Sequence, residues 1–207
     1  MSPLSSMPAA LSEVQLGRND VDDFVASYHR RLLRALSSFD RAPLKRVIEV
    51  LEGVMARGAT LWIAGNGGSA AVADHAACDL SKWTASEGRA PLRCVSLASN
   101  LPLLSALGND FGYAEVFRRQ LVSLARPGDA LLLVSASGNS ENVVRACEHA
   151  NQHEISTIAF VGFEGGRLRE LARHSVWIPS DDYGVVEDAH QSLVHGLAQY
   201  IRERHER

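Results

Sequence analysis

Two short loops rich in glycine and serine constrain this chain more than any other feature. The first is Gly65-Asn66-Gly67-Gly68-Ser69, which follows an apolar run at 61–64 and opens a helical pattern over 70–82. The second is Ser135-Ala136-Ser137-Gly138-Asn139-Ser140, which follows the run 130–134 and opens a helix over 140–151 with Val143, Val144 and Cys147 inside. A strand that feeds a helix through a glycine turn is the unit from which open parallel sheets are built. Further short apolar runs at 94–97, 157–161 and 176–178 alternate with helical patterns at 114–125, 167–173 and 186–204. Each run is apolar on both faces, as a strand covered by helices must be. The expected fold is therefore α/β: one domain with a five-stranded parallel sheet flanked by helices.

In front of the sheet, Phe24, Tyr28, Leu32 and Leu36 recur at helical spacing over 20–37, with Asp20 as N-cap. Asp40 is placed to cap a second helix with Pro43 in its first turn, and Gly58 ends it. The two make an N-terminal helical hairpin, so residues 20–207 read as one domain. Residues 1–19 read as a flexible leader without the basic and apolar stretches of a secretory signal.

Composition removes several classes of function. The formal net charge of -3 is spread over mixed acids and bases, which gives no grip on nucleic acid or an anionic membrane. No apolar run reaches the length of a membrane span. Cys78, Cys94 and Cys147 are far apart and odd in number, so they read as buried free thiols of a cytoplasmic protein. Trp62, Trp83 and Trp177 read as core or subunit interface.

In an open parallel sheet, ligands bind beyond the carboxyl ends of the strands, where both serine loops fall. Helix N-termini offer free N–H groups and a positive dipole end to an anion, and the serines add hydroxyl donors. The dinucleotide fingerprint and the lysine of an ATP-binding P-loop are both absent. A small phosphate held by serines and backbone amides remains; the alternative is a pair of ordinary strand–helix turns.

Two acid–histidine pairs supply the reactive groups. His75 and Asp79 are four residues apart and share one helix face. Glu187 and His195 lie two turns apart on the last helix, with Gln191 between them. Two histidines and two carboxylates suit a divalent ion such as Zn²⁺. Spacing alone leaves open whether the pairs meet or serve as a surface acid and ordinary polar residues near the core. His190, on the same helix, ranks below His195, and the other histidines fall in polar stretches.

Taken together, the loop 65–69, the stretch Gly108-Asn109-Asp110-Phe111-Gly112, the loop 135–140 and the His-bearing last helix resemble a sugar-isomerase (SIS) domain. Within that group the chain resembles the phosphoheptose isomerases, which interconvert sedoheptulose 7-phosphate and glycero-manno-heptose 7-phosphate. The resemblance implies that Ser69, Ser135, Ser137 and Ser140 hold the phosphate, with Ala136 in the same loop. Asn66, Gly67, Gly68, Asn109 and Asp110 would line the sugar site together with Glu187. His75, Asp79, Glu187 and His195 would occupy the metal and catalytic positions. It also implies zinc and a homotetramer. Asp79 stands where the best-known members have Glu, Glu187 where they have Gln, Ala136 for a Thr and Trp83 for an Arg.

The expected activity is aldose–ketose isomerisation of a sugar phosphate through an enediol or enediolate, with Asp79 as base and His195 as its acid/base partner. The alternatives are a non-catalytic SIS protein that binds a replication initiator, an isomerase or lyase of another phosphosugar, and a phosphosugar-sensing transcription factor. The last would need a basic recognition helix, which the N-terminal hairpin lacks.

Overall fold

The computed structural model describes residues 20–85 and 90–206. The expected leader at 1–19 lies outside the described residues. Five parallel strands form one sheet: β1 (Thr60–Gly65), β2 (Arg93–Ser96), β3 (Ala130–Ser135), β4 (Ser156–Val161) and β5 (His174–Trp177), in the order β2-β1-β3-β4-β5. The chain order reverses between β1 and β3, so the crevice for a ligand opens where those two strands end.

The hairpin forms as expected. Helix α1 (Val21–Ser38) starts at Asp20, whose carboxylate accepts the Asp22 N–H. Helix α2 (Ala42–Ala56) starts with a proline in its first turn and with Asp40 accepting the Ala42 N–H. The hairpin is tied to the last helix, α8 (Tyr183–His205), by the Tyr28 hydroxyl donating to Asp188 at 2.5 Å and by Arg31 on Asp182 at 2.8 Å.

Two apolar layers enclose the sheet. On one side α1, α2, α3 (Gly68–Trp83) and α8 pack against Leu61, Ile63, Leu132, Val134, Ile158 and Phe160. On the other, α5 (Val116–Leu124), α6 (Glu141–Gln152) and α7 (Gly166–Leu171) cover Trp62, Leu131, Leu133 and Ala159. This alternation is why 61–64 and 130–134, in β1 and β3, are apolar at successive positions: both faces are dry. The edge strand β2 differs, with Arg93 and Val95 exposed.

One helix was not expected. Leu101–Phe111 forms α4, capped by Asn100 accepting the Leu103 N–H at 3.1 Å and carrying a proline in its first turn. A 3-10 turn at Tyr113–Glu115 joins it to α5. The cysteines also depart from expectation: Cys147 is buried, Cys94 is partly covered, and Cys78 is exposed. His149, expected in an exposed stretch, is buried as well.

Candidate active site

The two serine loops meet because their strands are neighbours. β1 and β3 pair in parallel with Gly65 beside Val134, so both loops leave the same sheet edge. A reciprocal amide pair locks them: each of Asn66 and Asn142 donates its side-chain N–H to the other's oxygen at 2.9 Å. Tyr113, on the turn before α5, donates its hydroxyl to Asn66 at 2.8 Å. Neither Asn142 nor Tyr113 was singled out from the sequence. Nothing in their spacing announces them, because the contacts bridge segments far apart in the chain.

Within the second loop, Ser135 Oγ accepts the Gly138 N–H at 3.2 Å and Ser137 Oγ accepts the Asn139 N–H at 3.3 Å. Gly138 has φ +64, and a side chain there would collide with the Gly165 carbonyl. Only glycine lets this loop lie so close to its neighbour. Ser140 is the N-cap residue of α6 yet makes no side-chain cap bond, which leaves its hydroxyl free. Ser69 and Ala136 are buried, and Gly67 is exposed at the entrance of α3.

Helices α3 and α8 bring together three of the four predicted metal positions. His75 Nε2 lies 3.1 Å from Asp79 Oδ2, and His195 Nε2 lies 3.5 Å from the same oxygen. The two Nε2 atoms are 3.0 Å apart although the residues are 120 positions apart in the chain. Asp79 is buried, His195 half-buried and His75 exposed, so the group opens outward from a fixed carboxylate. Both histidine contacts use Oδ2, and Oδ1 makes no hydrogen bond to the described residues. Three ligand atoms converge as a divalent metal ion requires. Gln191 adds a side-chain nitrogen 3.0 Å from His195 Nε2.

Glu187 does not join that group. Its carboxylate lies against Gly68, where any side chain would collide with it, and it accepts the Ser69 backbone N–H. Burial, followed by the neighbouring Asp188 charge, raises its pKa, while the Ser69 N–H opposes the rise. Asn109 and Asp110 sit at the exposed end of α4, joined to each other at 3.0 Å. His190 is fully buried beside Phe160, with neither ring nitrogen in hydrogen-bond geometry. Burial pushes its pKa down to about 4, and the Val161 backbone opposes the shift only in part.

Fold and site define a doubly wound α/β domain with two serine loops at its switch point and a His–Asp–His cluster between α3 and α8. The chain belongs to the SIS-domain family, whose model matches residues 24–162. A phosphoheptose isomerase of Geotalea daltonii is 32% identical over 176 residues, covering 85% of this chain and 91% of that protein. One of Helicobacter pylori is 36% identical over 183 residues, covering 88% and 93% respectively. The structure of the phosphoheptose isomerase of Neisseria gonorrhoeae superposes with a TM-score of 0.81 at 27% identity, covering 89% of this chain and 100% of that one.

Proposed function

We propose that this chain is a phosphoheptose isomerase, interconverting sedoheptulose 7-phosphate and glycero-manno-heptose 7-phosphate. The observation that carries the reading is the His75–Asp79–His195 cluster beside two interlocked serine loops, in a chain alike in sequence and fold to phosphoheptose isomerases over most of its length.

Ser69, Ser135, Ser137 and Ser140 hold the phosphate through their hydroxyls, with the N-terminus of α6 supplying N–H donors and a positive dipole end. Asn66, Gly67 and Gly68 line the sugar, and Asn109 and Asp110 approach it from the end of α4. Asp79 takes the C1 proton of the ketose through its free oxygen, leaving the electron pair in the enediolate. The proton returns at C2 to give the aldose. His195 moves the proton between the two neighbouring oxygens.

The donor set fits Zn²⁺. Tetrahedral ligation at the usual bond lengths separates donor atoms by about 3.3 Å. The three separations here are 3.0, 3.1 and 3.5 Å. His75, Asp79 and His195 would hold the ion, and Glu187 or Gln191 of the same helix would complete its coordination. When bound, it supplies Lewis-acid stabilisation of the enediolate oxygen.

A homotetramer is proposed on the apolar side chains that α1 leaves exposed, with Val21 at 72%, Phe24 at 65% and Leu33 at 60%. No helix among the described residues is long and apolar enough to cross a membrane. Action in the cytoplasm is proposed on the unpaired cysteines.

The test is conversion of sedoheptulose 7-phosphate to the aldoheptose phosphate by purified protein, before and after chelation and after Zn²⁺ is restored. Conversion that falls on chelation and returns with Zn²⁺ is expected. No conversion in any preparation would sink the substrate assignment, and conversion indifferent to chelation would sink the metal.

A further inference from the structure

The opposite edge of the sheet carries a second cavity, of about 480 Å³. It lies where β1, β2 and β3 begin, about 20 Å from the serine loops by the rise of a six-residue strand. Three arginines line it: Arg57 at the end of α2, Arg93 at the start of β2 and Arg126 ahead of β3. They come from three separate segments, and only the fold brings them together.

None of the three has a carboxylate partner among the described residues. Each donates to a backbone carbonyl instead: Arg57 to Gly128 at 3.0 Å, Arg93 to Gly58 at 3.3 Å and Arg126 to Ala125 at 2.8 Å. Other arginines of the chain, such as Arg118, Arg145 and Arg167, are paired with glutamates. The carbonyl bonds anchor the three guanidiniums while leaving further N–H donors on each.

The one acid among the described lining residues, Asp129, is already committed. Its carboxylate accepts the Thr60 N–H at 2.8 Å, the Trp62 indole N–H at 2.9 Å and the Arg126 backbone N–H at 2.9 Å. The cavity therefore holds three guanidiniums against one carboxylate whose hydrogen-bonding capacity is turned to the wall. Leu124 and Pro127 give it an apolar side.

We propose that this cavity is a second binding site, for a small organic molecule bearing a di- or polyphosphate group. Guanidinium forks match phosphate oxygens in pairs, and three of them call for more than one negative charge. The volume falls within the range of small-molecule sites and exceeds what a lone phosphate fills. The apolar side accommodates the organic part. The site shares no residue with the serine loops, so it does not depend on the identity of the sugar phosphate handled there.

Calorimetric titration of the full chain with ADP tests this, with pyrophosphate as a second probe. One binding event per chain is expected to survive in the Ser135→Ala/Ser137→Ala double variant. The same event weakens about tenfold or more in Arg57→Gln/Arg126→Gln. Leu124→Glu, which adds a negative charge to an exposed wall position without removing a hydrogen bond, weakens it too. Tighter binding of ADP than of pyrophosphate identifies a nucleotide as the ligand; equal binding identifies the polyphosphate group alone. Absence of binding to the unaltered chain overturns the proposal. So does binding lost in the serine variant, or binding unchanged in both the arginine and the leucine variants.

Discussion

The crevice is built by two different means on its two sides. On the loop side, binding groups are local in sequence: hydroxyls and amide N–H groups within six residues of a strand end, held by an asparagine pair. On the helix side, the reactive groups come from α3 and α8 and meet across 120 positions of chain. Loop groups of this kind recognise an anion in substrate and transition state alike. The helices themselves are fixed by packing, with Ala73, Ala76, Ala189 and Val194 buried in the same layer. Rigid elements hold reacting atoms in place better than loops do, so rate should depend on the helices and affinity on the loops.

The largest expected effect tests the helix side. Asp79→Asn keeps shape but removes the charge that faces both histidines and the proton acceptor. We expect kcat to fall by about 10³-fold, with KM changed little. Steady-state kinetics on the sugar phosphate measures it. A variant with kcat within a few-fold of the unaltered protein would mean that Asp79 merely orients its histidines.

The next effect probes a place where the two sides touch. A side chain at Gly68 would run into the Glu187 carboxylate. Gly68→Ala should displace the flexible end of Glu187, at about 1 kcal/mol of stability, the low end of an overpacking cost. The double variant Gly68→Ala/Glu187→Ala should recover most of it, as a thermal unfolding cycle would reveal. Additive losses would show that the clash is relieved by some other movement.

Which parts of this arrangement could be read from the sequence follows the same division. The loops were legible because glycine, serine and the strand before them are contiguous. The four reactive positions were legible as residue types, since acid and histidine at helical spacing share a face. Their meeting was not, because periodicity says nothing about which helices pack together. Glu187 was grouped with the histidines, yet its carboxylate lies beside the α3 N-terminus, two turns of α8 away from His195. The helix α4 passed unnoticed because its apolar residues, Leu101, Leu103, Leu104 and Leu107, are partly or fully exposed and its cap, Asn100, is a weak local signal. The arginine cavity was invisible for the same reason as the cluster: Arg57, Arg93 and Arg126 belong to three segments.

A smaller effect concerns the dry side of α8. His190 is neutral in the folded protein with its pKa pushed down to about 4 by burial, whereas the unfolded chain takes up a proton near the ordinary value. Stability from this residue is therefore complete above the unfolded pKa and is lost as pH falls towards the folded one. We expect about 2 kcal/mol to disappear between pH 7 and pH 5. Urea unfolding at both pH values measures it, and His190→Phe should flatten that part of the dependence. If the loss is the same in the variant, other groups govern the acid limb, and the rigidity of the helix side does not rest on keeping His190 neutral.

The smallest effect tests the loop side. A serine at a helix N-cap ordinarily contributes about 1 kcal/mol through its bond to the first turn. Ser140 makes no such bond, so its removal should cost the fold little. In the proposed function its hydroxyl, unbonded among the described residues, donates to the phosphate instead, where a bond to a charged acceptor is worth about 1.5 kcal/mol, a tenfold change in affinity. Ser140→Ala should therefore raise KM by about tenfold and leave kcat within about twofold, because the bond is made equally in ground and transition states. The melting temperature should not move. A lowered melting temperature with unchanged KM would make Ser140 a cap after all. A fall in kcat as large as that of Asp79→Asn would erase the distinction between loops that bind and helices that react.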